Sequence, residues 1–303
     1  MHILSIQDVV KQYKNHRAVD GVSFDMKKGT IFGMLGPNGA GKTSLIRIIT
    51  SITGADEGQV LLDGVQVNQK TTERIGYMPE ERGLYKKMKV GEHLIYLALL
   101  KGLSKQEAKK KIAYWLERFE IESWKDKKVQ ELSKGMQQKV QFIATVLHEP
   151  PLIILDEPFS GLDPVNTNII KEEIRRLNDE GASIIFSTHR MESVEEICED
   201  IVMINQGKIA ITGNVQTIKD QFKENKYAFT LGESPTQLPA IEGIELISNS
   251  GNDIVIQSTN TEQVNTFLKA VIDQGMTIKS FHEILPSINE IFIKLVGKSS
   301  INE

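Results

Sequence analysis

Gly36-Pro37-Asn38-Gly39-Ala40-Gly41-Lys42-Thr43-Ser44 stands between an apolar run, Ile31-Phe32-Gly33-Met34-Leu35, and a periodic one, Leu45-Ile46-Arg47-Ile48-Ile49. Strand, glycine loop, then helix is the context in which the spacing Gly-x-x-x-x-Gly-Lys-Thr makes a phosphate cradle. Successive backbone N–H groups in such a loop form a concave nest for phosphate oxygens, and the following helix adds its unpaired N-terminal donors. Glycine permits positive φ and lets the backbone approach a ligand where a Cβ would collide. Lys42 supplies a point charge to β- and γ-phosphates, and the Thr43 hydroxyl is placed to ligate Mg2+. The stretch reads as nucleotide-binding rather than as a plain glycine turn.

The surrounding chain suits that reading. Its 303 residues are enough for two domains with a sizeable core. A net charge of −4 weighs against a generally basic nucleic-acid binder. Cys198 is the only cysteine, so an intrachain disulfide is excluded and a reducing, cytoplasmic setting fits. Its simplest role is that of a small buried apolar side chain. Apolar runs such as Leu94-Ile95-Tyr96-Leu97-Ala98-Leu99-Leu100 fall short of the ~20 residues a spanning helix needs. The amino end, Met1-His2-Ile3-Leu4-Ser5, lacks the pattern of a signal peptide. Any service to a membrane would then run through a partner.

In chain order, residues 3–12 and 17–27 read as strands joined near Lys14-Asn15-His16. Tyr13, at that turn, either packs on the sheet or stacks on a base. Ile75-Gly76-Tyr77-Met78-Pro79-Glu80 reads as a strand ending at a proline, and helical periodicity runs from Val90 to about His148. Lys109-Lys110-Lys111, Lys125 and Lys127-Lys128 within it read as a solvated face. Ser133 is a suitable N-cap for a helix through Val140, Ile143 and Leu147. Leu152-Ile153-Ile154-Leu155 has the continuous apolar character of a strand buried on both faces, with Asp156-Glu157 at its carboxyl end. A helix over 165–180 and a second buried strand, Ala182–Ser187, ending at Thr188-His189, predict a largely parallel sheet between helices. From about Asn225 short strands surround a helix near Glu262–Gln274, and turn-rich stretches at Gly232–Thr236 and Asn249–Asn252 punctuate them. This predicts a small α+β domain, with a ferredoxin-like sandwich as one arrangement, serving in stabilisation or dimer contact.

Taken together and in this order, Tyr13, Gly36–Ser44, Tyr77–Glu80, Leu132-Ser133-Lys134-Gly135-Met136-Gln137-Gln138, Leu152–Pro158, Ser160-Gly161-Leu162-Asp163 and His189 resemble the ATP-binding subunit of an ATP-binding cassette (ABC) transporter. The resemblance covers residues 1 to about 220. It implies an α/β P-loop ATPase core over 1–224, with an antiparallel β subdomain and a helical subdomain at about 88–148, followed by the accessory α+β domain over 225–303. It implies ATP on Tyr13, Asn38, Gly39, Ala40, Gly41, Lys42, Thr43 and Ser44, and Mg2+ on Thr43, Asp156 and Glu80. Glu157 resembles the general base that polarises water against the γ-phosphate, and His189 the residue that keeps it aligned. Ser133 and Gly135 match a signature loop that contacts ATP held by a second subunit. The resemblance implies a head-to-tail homodimer with Asp163 crossing between its two sites. The resemblance further implies a separate integral-membrane permease as partner, with the subunit cytoplasmic and peripheral on the membrane's inner face.

Three positions depart from the commonest pattern. Glu80 stands where the family usually carries glutamine, and Lys134 and Met136 where glycine and glutamine are commoner. The 79–85 stretch and the added carboxyl domain are similar to a bacterial subgroup of exporter ATPases that includes sodium-extrusion subunits. Two other readings compete: a soluble ABC-type ATPase acting on ribosomes or nucleic acid, and a nucleotide-binding regulator without turnover. A single cassette, no long coiled-coil insertion and an acidic balance weigh against the first. The presence of Lys42, Glu157 and His189 weighs against the second.

Overall fold

The computed structural model describes residues 1–299 apart from Arg82 and Thr236, with side chains as far as Val296. Arg82 of the 79–85 stretch and Thr236 of the 232–236 turn thus lie outside the described residues. The chain divides into two compact units, Met1–Val215 and Gln216–Glu303.

The first unit opens with β1 (His2–Tyr13), β2 (His16–Lys27), β3 (Ile31–Leu35), α1 (Lys42–Ile49), β4 (Glu57–Leu62), β5 (Val65–Gln66) and β6 (Ile75–Met78). The helices α2 (Val90–Leu100), α3 (Lys105–Arg118) and α4 (Lys134–Val146) follow. Next come β7 (Leu152–Asp156), α5 (Pro164–Asp179), β8 (Ser183–Thr188), α6 (Met191–Ile197), β9 (Asp200–Asn205) and β10 (Lys208–Asn214). Strands β3, β7 and β8 are buried along their whole length, as continuous apolar runs demand of parallel strands covered on both faces. They lie at the heart of a six-stranded sheet ordered β10-β9-β3-β8-β7-β6, parallel except for β10. Leu35 is therefore paired with Thr188, and Asp156 with Ser187. The phosphate loop, the Asp156-Glu157 pair and His189 all leave the sheet at this one edge, where open α/β sheets receive ligands.

A separate antiparallel sheet, β2-β1-β4-β5, turns an apolar face toward the same core. Alternate residues of β2 (Val22, Phe24, Met26) point inward, and Phe24 stacks on Phe32 of β3 at 5.3 Å between ring centroids. Leu45, Ile46 and Ile49 of α1 close the cluster, so the helix behind the phosphate loop is held by one apolar stripe. Helix α3 starts at a capping box: Glu107 N–H donates to Ser104 Oγ at 3.2 Å, and Ser104 N–H to Glu107 Oε2 at 2.9 Å. Trp115 of α3 packs with Phe119 and with Phe142 of α4, joining the helical segment to the signature helix. The lysines at 109, 110, 125, 127 and 128 are exposed, and Lys111 pairs with Glu149 at 2.7 Å. Cys198 is buried.

After α7 (Val215–Gln221), the second unit comprises β11 (Lys226–Leu231), β12 (Glu245–Ser250), β13 (Asp253–Gln257), α8 (Thr261–Asp273), β14 (Ile278–Ile284) and α9 (Ile288–Ser299). Its sheet, β12-β13-β11-β14, is antiparallel throughout. Phe229, Leu231, Ile254 and Ile256 pack against Val264, Phe267 and Val271 of α8. The helices fall differently from a ferredoxin-like β-α-β-β-α-β order. Among the described residues of 232–244 no helix forms, and the second helix follows the last strand. Pro235, Pro239, Gly232 and Gly243 account for that, since each breaks a helix of such length.

Candidate active site

Two glycines of the phosphate loop are required by the space around them. Gly36 has φ 148° and a Cβ there would stand 2.1 Å from the Ile204 carbonyl oxygen. Gly41 has φ 109°, and its Cβ would stand 2.2 Å from the Ala18 oxygen. The backbone thus passes where no side chain fits, leaving Asn38, Gly39 and Thr43 exposed, Ser44 partly so, and Ala40 buried. Lys42 opens α1 and is itself buried. Its Nζ donates to the Gly36 and Pro37 carbonyls at 2.7 and 3.1 Å. Burial holds its ammonium below the usual lysine range, opposed by the charges of Glu157, Asp156 and Glu80. Those three carboxylates are thereby identified as the electrostatic neighbours of the phosphate-loop lysine.

Asp156 ends β7 and is 2 % exposed. Burial raises its pKa; Glu80 and Glu157 push the same way, while the Ser187 hydroxyl and Lys42 oppose them. Its Oδ2 is buried without a hydrogen-bond partner, an arrangement that normally carries a penalty. A hard cation would satisfy that oxygen. Among the described residues no group of three or more His, Cys, Asp or Glu could hold a metal alone. The donor set therefore fits Mg2+, which takes one or two carboxylates together with substrate phosphates, rather than a cage built from protein.

Glu157 follows at φ 51°, a left-handed conformation uncommon for a residue with a Cβ. Every polar group of the residue is tied down. Its N–H donates to the Ser187 carbonyl at 2.9 Å. Oε2 accepts from the Thr188 hydroxyl at 3.1 Å, and Oε1 from the His189 N–H at 2.7 Å. The His189 Nδ1 lies 2.6 Å from the same Oε1, while the rest of that side chain is half exposed. Glu80, also exposed, follows Pro79, whose carbonyl accepts from Gln141 Nε2 at 2.7 Å.

A second group of residues gathers elsewhere. Ser133 caps α4, its Oγ accepting from Met136 N–H at 3.2 Å. Asp163 caps α5, accepting from Asn166 N–H at 2.9 Å and from Asn166 Nδ2 at 2.6 Å, and these bonds lower its pKa. With Gly135, Lys134 and Lys139 they line a pocket of about 380 Å³ that contains no phosphate-loop residue. Tyr13 stands at the end of β1, exposed, with Lys11 Nζ 5.6 Å over its ring. The structure thus brings Lys42, Asp156, Glu157 and His189 together, with Glu80 at their edge. Ser133, Gly135 and Asp163 form a separate cluster. Gln138 and Thr188, named from the sequence only as parts of a motif and a strand end, and Gln141, not named there, are additional members.

Two family descriptions match the chain: "ABC transporter" over residues 19–160, and "ATP-binding protein DrrA1-3-like, C-terminal domain" over residues 213–296. The uncharacterized ABC transporter ATP-binding protein YhaQ of Bacillus subtilis (strain 168) is 44 % identical, across 97 % of this chain and 99 % of that protein. Nod factor export ATP-binding protein I of Burkholderia pseudomallei (strain K96243) is 30 % identical, across 99 % and 98 %. Among solved structures, an ATP-binding subunit of an ABC transporter superposes with a TM-score of 0.69 at 30 % identity, covering 73 % of this chain and 93 % of its own.

Proposed function

The chain belongs to the ATP-binding subunits of ABC transporters, and from that premise we propose that it is the ATP-hydrolysing motor of an exporter whose membrane-spanning permease is a separate polypeptide. The observation that carries the reading is the convergence of Lys42, Asp156 and the Glu157–His189 pair at the carboxyl ends of β3, β7 and β8. The phosphate loop binds the ATP phosphates through its N–H groups and Lys42. Thr43 and Asp156 would hold Mg2+, with Glu80 beside them, and the ion would draw negative charge from the phosphates. Glu157 accepts a proton from the attacking water. Thr188 and His189 keep its two oxygens from turning away. A base held at one angle is poised for one water position, which is the main protein contribution to such a transfer.

Dimer closure completes the cycle. Ser133, Gly135 and Asp163 reach the ATP of a second copy, so ATP holds the pair together and hydrolysis releases it. An apolar groove of about 460 Å³, lined by Tyr77, Pro79, Leu84, Leu97 and Leu100 among others, supports docking of a permease segment beside Glu80. No helix among the described residues is long and apolar enough to cross a membrane, which supports a permease on another chain. The name of the Nod factor export relative supports the outward direction, and a subunit drawing on ATP to drive a membrane permease would sit peripherally on the membrane's cytoplasmic face. The test is the Glu157→Gln variant with saturating Mg-ATP. We expect bound ATP, slow turnover and a dimer by sedimentation. A variant that stays monomeric at high protein concentration would remove the closure mechanism.

A further inference from the structure

Gln138 is 2 % exposed within α4, and its Nε2 donates to the Pro158 carbonyl at 2.8 Å with the Glu157 carbonyl at 3.5 Å. We infer that Gln138 is a positioning residue for Glu157, and that α4 carries this link from its own amino end to the catalytic loop of the same chain. Both neighbouring oxygens can only accept, so the NH2 end of the amide faces them. The shorter contact is a good hydrogen bond and the longer one a weak second arm.

Glu157 requires such a hold. A left-handed φ on a residue with a Cβ persists only where its surroundings over-determine it. On the sheet side, Ser187, Thr188 and His189 grip its N–H and its carboxylate. On the chain's onward side Pro158 has no N–H to offer, and the Ser160 N–H fastens the turn by donating to the Glu157 carbonyl at 3.1 Å. Gln138 adds a side-chain hold on the next carbonyl, that of Pro158. Without it the Pro158 carbonyl loses this donor and the turn after Glu157 is held by Ser160 alone, so the carboxylate direction is fixed less sharply.

The same helix touches two more functional groups. Ser133 and Gly135 lie at its amino end, and Gln141, one turn beyond Gln138, donates to the Pro79 carbonyl next to Glu80. One 13-residue helix thus joins the cluster proposed to meet the second copy's ATP to both carboxylate loops of its own chain. Packing on Phe119 and Trp115 keeps it a rigid element. A shift of its amino end is passed to the Glu157 loop through a direct bond.

The inference rests on Glu157 acting as the base, and the test separates the two. In the full chain, Gln138→Met keeps the volume and removes the donor. It should lower the rate of ATP cleavage by roughly 10–100-fold, as a small misplacement of a reacting group does. ATP affinity, measured by titration, should change by less than about 3-fold, because the phosphate loop is untouched. In a Glu157→Gln background the same substitution should produce no further fall in single-turnover rate, since its route of action is already gone. Gln138→Asn, which withdraws the amide by one methylene, repeats the cycle should Gln138→Met fail to fold. Equal rate losses in both backgrounds, or an affinity loss matching the rate loss, would overturn the inference. A Glu157→Gln single variant as fast as wild type would strike the base assignment itself, and this inference with it.

Discussion

The imidazole Nδ1 of His189 lies 2.6 Å from Oε1 of Glu157, and the same oxygen also accepts the His189 backbone N–H at 2.7 Å. The side chain is thus one of three holds on the carboxylate, beside that N–H and the Thr188 hydroxyl. Removing it should loosen the base without abolishing it. His189→Ala should retain ATP binding and lose roughly 10–100-fold in turnover, less than the ~10²–10⁴ expected of Glu157→Gln. Phosphate release measured for both variants checks the order. A His189→Ala rate equal to wild type would leave the histidine without a role.

How far the sequence discloses this site depends on how local each feature is. The phosphate loop is legible because strand, glycines and helix are consecutive, and Leu152–Glu157 because a buried strand needs an unbroken apolar run. The Glu157–His189 contact depends on β7 pairing beside β8 with Asp156 opposite Ser187, which no local pattern states; the family resemblance alone suggested it. Gln138 and Gln141 are missed because their partners are main-chain carbonyls of other segments. Two amides one turn apart on a buried helix face were the available signal. Strands β9 and β10 are absent from the sequence reading despite a cue. Gln206-Gly207 joins two apolar runs and takes positive φ at both positions (48° and 76°), as a two-residue hairpin turn requires. In the second unit the strands and α8 are legible, whereas the lack of a helix among the described residues of 232–244 decides how they connect.

Lys42 has no substitute in its position. Its Nζ is buried against the Gly36 and Pro37 carbonyls and faces the charges of Glu157, Asp156 and Glu80. Lys42→Ala removes the cation and unpins the loop together. Each charge-assisted contact is worth about 1.5–3 kcal/mol, so ATP affinity should fall by roughly 10- to 150-fold or more. Direct titration with ATP checks it, and an unchanged dissociation constant would contradict nucleotide binding at this loop.

Acid should destabilise the first unit through His148. Its ring nitrogens are both buried, with only a weak contact to the Ile75 backbone. Burial, helped by the nearby Lys101 charge, lowers its pKa from 6.5 to about 4. The folded value lies below the unfolded one, so the unfolded chain binds the extra proton first. Stability from this group is complete above about pH 6.5 and declines as pH falls toward about 4, by a total on the order of 3 kcal/mol. Asp156, held above its ordinary range, acts in the opposite sense, so the comparison is made within a pair of proteins. Between pH 7 and pH 4 the melting temperature of His148→Gln should fall less steeply with acid than that of the wild type; parallel curves would exclude His148 as the cause.

Glu80 carries the last prediction, because it departs from the family's usual glutamine. Its charge reaches both Asp156, whose proton affinity it raises, and Lys42. The exposed carboxylate belongs to no protein-only metal cage among the described residues, so any part it plays with Mg2+ is shared with ATP. Glutamine would offer Mg2+ a neutral carbonyl, whereas ionised glutamate offers only anionic acceptors. Pro79, immediately before it, is pinned to α4 through Gln141 and lines the apolar groove proposed to receive the permease. Glu80→Gln should therefore keep a substantial basal ATPase, whereas Glu80→Ala should need more Mg2+ for half-maximal rate and uncouple transport. ATPase rates measured against Mg2+ concentration for wild type and both variants decide the matter. Three superimposable curves would make Glu80 a surface carboxylate with no part in metal binding.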